Sequence, residues 1–423
     1  MGAPTKPSLA EDFIYPRYER GCISNLPNAI LNLFGVKTPK PQLPLREHVE
    51  KLGADKASKV VLLLLDGFGF DQFQRNQNNF SFLSNLSRNG SVFPLTSVFP
   101  SQTTNALATL NTGLMPQEHG LFEYFIYLKE AGQVVNTLSF EPVGSAYGSG
   151  AQTEFDPHLA FNGKTIHTTL KAEGIETFVH AYKYYAFSPC SQLLFDGSTV
   201  VPSWKTSDMV VNLRRNLQDT QGPAYFFVHF DTLDTIAHEY GPNSEQYAAE
   251  LSAISYLLSK ELVEKVDAQT AKETLILVTA DHGEAAINPQ DTLYLNNFPQ
   301  VISNLKTEKK LPILPAGGPR DVFLHIQEEK LAQTKEFLTK ELGKKAAIIE
   351  TQEAIEQGLF GIGEAAEVFC ERAGNLMVLP FANQTVWFEF SQGRKLELWG
   401  HHGGLSREEM VVPFGLAKLS SLK

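Results

Sequence analysis

The chain of 423 residues contains only three cysteines. Cys22, Cys190 and Cys370 lie far apart, are odd in number and show no Cys-x-x-Cys spacing. Disulfide-held secreted domains and thiolate zinc sites both need paired or closely spaced cysteines. The sequence therefore indicates neither kind of framework, and a reducing compartment fits it best.

Positive charge and long apolar runs are also scarce. Lys and Arg total 36 against 47 Asp and Glu, which gives a net charge of -11. Nucleic-acid duplexes and anionic membranes are bound by clustered positive charge, so we expect neither as a partner. The apolar run from Val60 to Leu65 is far shorter than the roughly 20 residues that span a bilayer, and the first twenty residues hold no signal-peptide core. We therefore expect a cytoplasmic protein.

Five short and nearly continuous apolar runs lie along the chain. Runs without alternation are typical of strands that are buried on both faces of a sheet. Between them lie stretches such as residues 244–266, where apolar residues recur every three or four positions, as in a helix. This order predicts an α/β fold with a largely parallel central sheet flanked by helices. The five runs are KVVLLLLDG at 59–67, ETFVHAY at 176–182, AYFFVHF at 224–230, TLILVTADHG at 274–283 and MVVPFGLA at 410–417.

The character of the sequence changes between Leu311 and Gly361. PILPAGGPR is typical of a loop, DVFLHI and KAAIIE of strands, and EEKLAQTKEFLTKELG and TQEAIEQGLFG of helices. Because residues of chemical interest lie on both sides of this segment, we interpret it as a small α/β cap inserted into the core. The predicted organisation is an N-terminal extension packing on the core (1–50), a metal-dependent catalytic domain (51–310 and 362–423) and the inserted cap (311–361).

Polar residues follow three of the predicted strands. Ligands of open α/β sheets bind beyond the carboxyl ends of the strands, so these residues are the first candidates for a site. Asp234 and His238 are four residues apart, and one helical turn would place both on the same face. Asp66, Asp281 and His282 follow the other two strands, and this mixture of carboxylate and imidazole suits zinc or a similar divalent ion. Each residue alone could cap a helix or turn; their joint occurrence favours a metal centre.

Hydroxyl groups and a pair of histidines complete the candidates. Seven threonines and serines lie between Thr96 and Thr112. Coordination to a divalent ion lowers the pKa of a hydroxyl enough for attack on phosphorus, but composition does not choose among the seven, and helix capping stays open as their role. The segment GHHGG at 400–404 offers two imidazoles in a flexible turn.

Taken in order, five segments resemble the successive motifs of the alkaline phosphatase superfamily, and most closely those of its type I phosphodiesterase/nucleotide pyrophosphatase family. The resemblance spans about Lys59 to Phe414 apart from the predicted cap. It implies an alkaline-phosphatase-like fold and hydrolysis of phosphate esters with two divalent ions, zinc by family expectation and manganese as the alternative. The segments are LLLLDGF, SVFPSQTTNALATLNTGLMPQEHG, FDTLDTIAHEYGP, VTADHGE and GHHGGLSREEMVVPF.

The resemblance also implies the ligands of the two ions. His402 is preferred to His401 because it directly precedes the Gly-Gly pair, as in the family's His-Gly motif. On the matching positions, one ion is surrounded by Asp66, Thr103, Asp281 and His282, and the other by Asp234, His238 and His402.

The family's nucleophile lies nine residues before the threonine of a Thr-Gly pair, which is Thr112-Gly113 here. This spacing assigns the nucleophile to Thr103, with Thr104 as the fallback. Tyr124 stands where the better-known nucleotide pyrophosphatases place a phosphate-contacting asparagine, so we expect it to contact substrate. If a helix begins near Thr103, the backbone N–H of Thr103 or Thr104 would add to stabilisation of the transition state.

These expectations combine into one functional hypothesis with three alternatives. The chain is predicted to hydrolyse a small-molecule phosphate ester or nucleotide, as a phosphodiesterase or nucleotide pyrophosphatase that forms a phosphothreonine intermediate. A phosphomonoesterase of the same superfamily is the alternative among hydrolases. A non-catalytic phosphate-ester-binding protein and a metal-dependent phosphomutase are further readings, although all seven candidate ligands are present and no large transferase domain is visible.

Overall fold

The computed structural model of the chain describes residues 12–54, 57–144, 156–161, 163–391 and 393–423. The first eleven residues of the predicted N-terminal extension lie outside these ranges. No helix among the described residues is long and apolar enough to cross a membrane.

The strands of the described residues form one large sheet and several small ones. In chain order they are β1 Lys59–Leu65, β2 Ser91–Thr96, β3 Phe125–Leu128, β4 Gln133–Asn136, β5 Glu176–Tyr182, β6 Thr199–Ser203, β7 Ala224–Phe230, β8 Thr274–Thr279, β9 Ala285–Ala286, β10 Leu293–Tyr294, β11 Thr307–Glu308, β12 Leu311–Pro312, β13 Ala316–Gly318, β14 Asp321–Leu324, β15 Ala346–Glu350, β16 Leu376–Pro380, β17 Val386–Trp387, β18 Gly400–His401 and β19 Val411–Lys418.

The helices lie between the strands of the large sheet and around the smaller ones. In chain order they are α1 Leu26–Leu33, α2 Leu45–Lys51, α3 Phe70–Asn76, α4 Ser81–Asn89, α5 Thr103–Thr112, α6 Pro116–His119, α7 Ile166–Ala172, α8 Pro189–Leu194, α9 Thr206–Asp219, α10 Thr232–Tyr240, α11 Glu245–Leu257, α12 Ala268–Glu273, α13 Pro299–Ser303, α14 Leu331–Leu342, α15 Thr351–Glu356, α16 Glu367–Ala373 and α17 Arg407–Met410.

The large sheet has seven strands in the order β2-β19-β8-β1-β7-β5-β6. The pairs from β8 to β6 are parallel, whereas β19 runs antiparallel to both β8 and β2. All five predicted strands belong to this sheet, which confirms the predicted fold class. The sequence missed the two edge strands, β2 and β6; each contains a proline, a residue tolerated at sheet edges, and is partly exposed.

The carboxyl ends of three neighbouring parallel strands lie at the same level. Leu65 at the end of β1 pairs with Phe230 at the end of β7, and Leu64 pairs with Thr279 at the end of β8. These strands are buried along their whole length, so their continuous apolar sequence reflects cover on both faces. The residues that follow them therefore meet at one edge of the sheet.

A second sheet of four antiparallel strands has the order β13-β14-β16-β15. The segment predicted as an insertion, residues 311–361, supplies β13, β14 and β15, but β16 lies C-terminal to it. The stretch PILPAGGPR, expected as a loop, contains β13. The sequence did not predict this strand because two of its three residues are glycines, which have no apolar side chain to form a strand pattern. We propose that the cap subdomain extends at least to Pro380.

The described part of the N-terminal segment packs on the large sheet's core. Phe13, Tyr18 and Ile23 belong to the same buried apolar cluster as the central strands. The backbone N–H of Ile14 also donates to the carbonyl of Leu405 at 2.8 Å.

Candidate active site

Two of the three strand ends place acidic side chains beside His282. Asp66 follows β1 directly, and its Oδ1 lies 3.5 Å from His282 Nε2. Asp281 follows β8, and its Oδ2 lies 3.2 Å from the same nitrogen. The other oxygen of Asp281 accepts from the backbone N–H of Gly67 at 3.2 Å and of His282 at 2.9 Å. One edge of the Asp281 carboxylate is thus fixed by the backbone, and the other faces His282.

The third strand end leads into α10, which carries Asp234 and His238. His238 Nε2 lies 3.4 Å from Asp234 Oδ1, so the helical spacing does place both side chains on one face. His402 Nε2, from the turn after β18, lies 3.5 Å from the same oxygen. Gly67 permits this close approach of β1 and α10: it has φ +72°, and a Cβ there would lie 3.0 Å from the Cα of Asp234.

Glu284 is an additional member of this group. Asp234, His238, Glu284 and His402 each offer a ligand atom, and all four atoms lie within 4.8 Å of one another. A second group of this kind consists of Asp66, Asp234 and His282, so Asp234 belongs to both. The structure brings His402, and not His401, into the group.

Thr103 contacts His282 and lines both cavities that adjoin the two groups. Its Oγ1 lies 3.1 Å from His282 Nε2, and α5 begins at this residue. The side chain of Gln102 caps the helix by accepting from the Thr104 N–H at 2.7 Å, so that amide is already used. The hydroxyl of Thr104 is buried and accepts from Thr137 Oγ1 at 3.0 Å. Of the two threonines, only Thr103 presents its hydroxyl to the cluster.

Hydrogen bonds at the far ring nitrogen set the tautomer of all three histidines. Each Nδ1 lies 2.7–3.0 Å from a backbone carbonyl oxygen, which can only accept, so the neutral ring carries its proton on Nδ1. Each Nε2 therefore presents a lone pair to the carboxylates. The three pairs are His238 with Gly400, His282 with Gly283 and His402 with Ser101.

The acceptor atoms face one another without donors between them. Asp66 Oδ1, Asp234 Oδ1, Asp281 Oδ2 and both oxygens of Glu284 are buried with no hydrogen-bond partner. Buried carboxylates that lack partners are costly, and oxygen and imidazole nitrogen together form a donor set suited to a divalent cation. The residues present therefore fit bound metal ions.

The electrostatics of the cluster agree with this fit. Burial and the neighbouring Asp281 raise the pKa of Asp66 well above its ordinary value. Burial and Asp234 do the same for the pKa of Glu284. Burial lowers the pKa of His402 well below its ordinary value, which keeps its imidazole neutral. These carboxyl groups resist ionisation unless a cation lies among them.

His229 is a second residue that the sequence prediction did not include. It is the penultimate residue of β7, and its Nε2 lies 2.6 Å from Asp66 Oδ2, the oxygen that faces away from His282. Burial lowers the pKa of His229 to about 4. The neutral ring donates its Nε2–H to Asp66, and this bond holds the carboxylate in place.

A cavity of about 400 Å³ opens onto Thr103. Tyr124, Phe125 and Trp387 line it with aromatic rings, and His401 contributes to its wall beside the metal cluster. A smaller cavity of about 150 Å³ also reaches Thr103 and is lined by Leu107, Tyr185 and other side chains. A larger cleft of about 990 Å³, between residues 16–20 and 352–370, contains none of these residues. Thr103 and Asp234 therefore lie at the two smaller cavities.

The structure brings together the seven ligands that the resemblance implied, and Tyr124 lies on the wall of the adjoining cavity. Glu284 had a detectable signal, since it follows Asp281-His282-Gly283 directly. His229 had none, because a histidine within a continuous apolar strand does not differ in pattern from a core residue.

Comparisons with known proteins point to one family. Residues 60–405 match the family described as type I phosphodiesterase / nucleotide pyrophosphatase. An uncharacterized pyrophosphatase/phosphodiesterase of Schizosaccharomyces pombe is 25% identical over 271 residues, which cover 62% of this chain and 51% of the relative. Ectonucleotide pyrophosphatase/phosphodiesterase family member 1 of Rattus norvegicus is 22% identical over 258 residues, 58% of this chain and 26% of the relative. The chain thus spans about half of the yeast relative and about a quarter of the rat one.

Solved structures share the fold. Murine ectonucleotide pyrophosphatase/phosphodiesterase 5 superposes with a TM-score of 0.63 at 16% identity, covering 84% of this chain and 87% of the other. Phosphonoacetate hydrolase from Sinorhizobium meliloti, in complex with phosphonoformate, gives a TM-score of 0.60 at 15% identity, covering 87% and 94%. The predicted alkaline-phosphatase-like architecture is confirmed.

Proposed function

Because the chain belongs to the type I phosphodiesterase/nucleotide pyrophosphatase family, as the order of its motifs predicted, we propose that it hydrolyses phosphodiester or pyrophosphate bonds of small molecules. One observation carries the proposal. The Thr103 hydroxyl lies 3.1 Å from His282 Nε2, and His282 belongs to one of two groups of residues that could hold a metal ion and that share Asp234.

We assign two divalent ions to these groups, zinc in the first instance and manganese as the alternative. Asp66, Asp281 and His282 with Thr103 would hold one ion, and Asp234, His238 and His402 the other. Bound there, the ions lower the pKa of the nucleophile and offset the charge of the phosphate oxygens. Their positive charge would also attract an anionic substrate, which the net charge of -11 would by itself repel.

Thr103 is the proposed nucleophile. Its Oγ forms a bond to phosphorus as the bond to the leaving oxygen breaks, and the leaving group departs from the opposite side. Water then attacks the phosphothreonine, the Oγ–P bond breaks, and the threonine hydroxyl is restored. Thr103 lies in the first turn of α5, where the positive end of the helix dipole favours the developing negative charge.

The cavity of about 400 Å³ beside Thr103 supports a substrate with a planar organic group. Phe125 and Trp387 are stacked with ring centroids 6.1 Å apart, and Tyr124 packs edge-on against Phe125. Aromatic walls of this kind suit a nucleobase or an aryl ester. A murine structural neighbour is described in complex with AMP, and a nucleotide is the substrate class that we propose here. We further propose that Tyr124 contacts the bound substrate.

Hydrolysis of bis-p-nitrophenyl phosphate and of p-nitrophenyl phosphate by the zinc-loaded protein tests this function. We expect preference for the diester, a loss of at least about 1000-fold in Thr103→Ala, and partial recovery in Thr103→Ser, which keeps a hydroxyl.

Preference for the monoester would instead assign a phosphomonoesterase. Inactivity on both substrates, or full activity in Thr103→Ala, would overturn the proposed mechanism.

A further inference from the structure

Glu284 has no role among the seven ligands proposed above, yet its side chain reaches the same place. It is 5% exposed, and neither carboxylate oxygen has a hydrogen-bond partner. Its Oε1 lies 4.0 Å from His238 Nε2. A buried carboxylate with two unpartnered oxygens is costly, and a cation bound between Glu284 and His238 Nε2 would offset that cost.

The approach of Glu284 differs from that of the other ligands. Asp234, His238 and His402 line the substrate cavity, whereas Glu284 does not. Glu284 is instead among the residues that line a separate cleft, which includes none of the seven proposed ligands. Its carboxylate passes Gly400 closely: a Cβ at Gly400 would lie 2.5 Å from Glu284 Oε2. A ligand that does not line the substrate cavity leaves the cavity side of the ion open to substrate.

We infer that Glu284 is a fourth protein ligand of the ion held by Asp234, His238 and His402, and that its charge favours monoanionic phosphodiesters over dianionic monoesters. This inference rests on the proposed function. It adds to that function a ligand and a physical reason for the class of substrate.

Charge balance links the ligand to the substrate class. Each of the three histidines would bind its ion through Nε2 and keep its proton on Nδ1, so it adds no charge to the site. With Glu284, four carboxylates balance two divalent cations, and the site is neutral before Thr103 loses its proton. Without Glu284, one positive charge remains. A positive site favours a phosphate with two negative charges, whereas a neutral site reduces that advantage.

Glu284→Gln tests the inference, because it removes the charge and keeps the shape. Apoprotein is titrated with Zn²⁺ against a chromophoric chelator, and bound zinc is counted by elemental analysis. We expect two ions in the wild type and an affinity for one of them that is at least about tenfold weaker in the variant. At saturating zinc, we expect the ratio of kcat/KM for p-nitrophenyl phosphate over bis-p-nitrophenyl phosphate to rise about tenfold.

Two further variants serve as controls. Glu284→Asp retains the carboxylate and should keep the wild-type ratio more closely than Gln. If Glu284→Gln fails to fold, the Asp variant tests the ligand role through zinc affinity, which its shorter side chain should weaken for one ion. Glu118→Gln removes one negative charge from the ion pair with Lys40 and should change neither measurement.

The outcomes separate the two proposals. Two ions bound with unchanged affinities and an unchanged substrate ratio in Glu284→Gln would overturn this inference and leave the proposed function intact. The same result is expected if Glu284 is a protonated side chain that donates to Asp234, since a glutamine amide also donates. A wild-type protein that binds no zinc and hydrolyses neither substrate would overturn the proposed function itself.

Discussion

At the scale of single residues, the candidate site depends on side chains that are held by the protein at one atom and left without a partner at another. The three histidines are fixed through Nδ1, Asp281 through Oδ1 and Asp66 through Oδ2. Second contacts of this kind orient a ligand before the ion arrives. The bond from His229 to Asp66 is the shortest of these contacts, at 2.6 Å.

His229→Asn tests the value of this orientation. The shorter side chain loses the bond to Asp66 Oδ2, so we expect the affinity for one zinc ion to fall about 10- to 100-fold. Competition with a chelator measures the affinity.

His180→Asn is the matched control, because His180 is an equally buried histidine on the neighbouring strand β5 and neither of its ring nitrogens has a hydrogen-bond partner. It should leave zinc affinity unchanged. An equal loss of affinity in both variants would show that burial, and not the bond to Asp66, matters.

The residues of the candidate site differ in how well the sequence predicts them. Asp66, Asp234 and Asp281 were predictable because each follows a recognisable strand, and ligands of open α/β sheets bind beyond the strand ends. Composition did not distinguish Thr103 among seven hydroxyl residues; its assignment came from family spacing. The role of His229 was not predictable from the sequence, because its partner Asp66 is 163 residues away along the chain and only the strand pairing brings them together.

At the scale of elements, the start of α5 determines where the nucleophile lies. Gln102 is the N-cap, with extended backbone, and its side chain accepts from the Thr104 amide. The helix does begin at Thr103, but the Thr104 amide is used by the cap. Of the two backbone amides predicted to stabilise the transition state, only that of Thr103 is not used by the cap.

Gln102→Ala tests the role of the cap. Loss of the bond to the Thr104 amide should lower the free energy of unfolding by about 0.5–2 kcal/mol and displace Thr103, with a fall in kcat for bis-p-nitrophenyl phosphate. Chemical denaturation and steady-state kinetics measure the two effects.

Asp267→Ala is the control, because it removes the cap of another helix, α12. The Asp267 side chain accepts from the backbone N–H groups of Gln269 and Thr270, away from the site. A similar loss of stability with unchanged kcat is expected for it. Unchanged kcat in Gln102→Ala as well would contradict a positioning role for the cap.

At the scale of the whole molecule, a buried ion pair joins the proposed cap to residues near His402. Arg320, just before β14, binds both carboxylate oxygens of Glu409 at 2.9 and 2.8 Å. Glu409 also accepts from the backbone N–H of Gly404, two residues after His402, and of Ser406. The cap sheet is thereby connected to the turn that carries a proposed ion ligand.

Arg320→Met would leave the Glu409 charge buried without its partner. We expect the free energy of unfolding to fall by about 3–5 kcal/mol, since breaking a buried pair strands the remaining charge. We also expect weaker zinc binding, because the turn loses its support. Urea unfolding and chelator competition measure both.

Lys129→Met breaks the exposed pair with Glu371 and should leave both measurements as in the wild type. Wild-type zinc affinity in a destabilised Arg320→Met would indicate that the pair stabilises the cap without positioning the site.

The general architecture was predictable because the strands of a parallel sheet are buried on both faces and therefore appear as continuous apolar runs. The cap was less predictable. LMVLP at 376–380 is as apolar as a core strand, but it pairs with β14 and β15 across intervening helices. Pairing over such separations leaves no local pattern, so the predicted boundary at residue 361 divides the sheet.

The most direct test of the central claim is detection of the covalent intermediate on Thr103. Zinc-loaded protein is mixed with bis-p-nitrophenyl phosphate, quenched in acid within milliseconds, digested and examined by mass spectrometry. We predict a p-nitrophenylphosphoryl group on the peptide that contains Thr103, and its absence in Thr103→Ala. An adduct on another side chain, or turnover with no adduct on Thr103 at any quench time, would contradict the account.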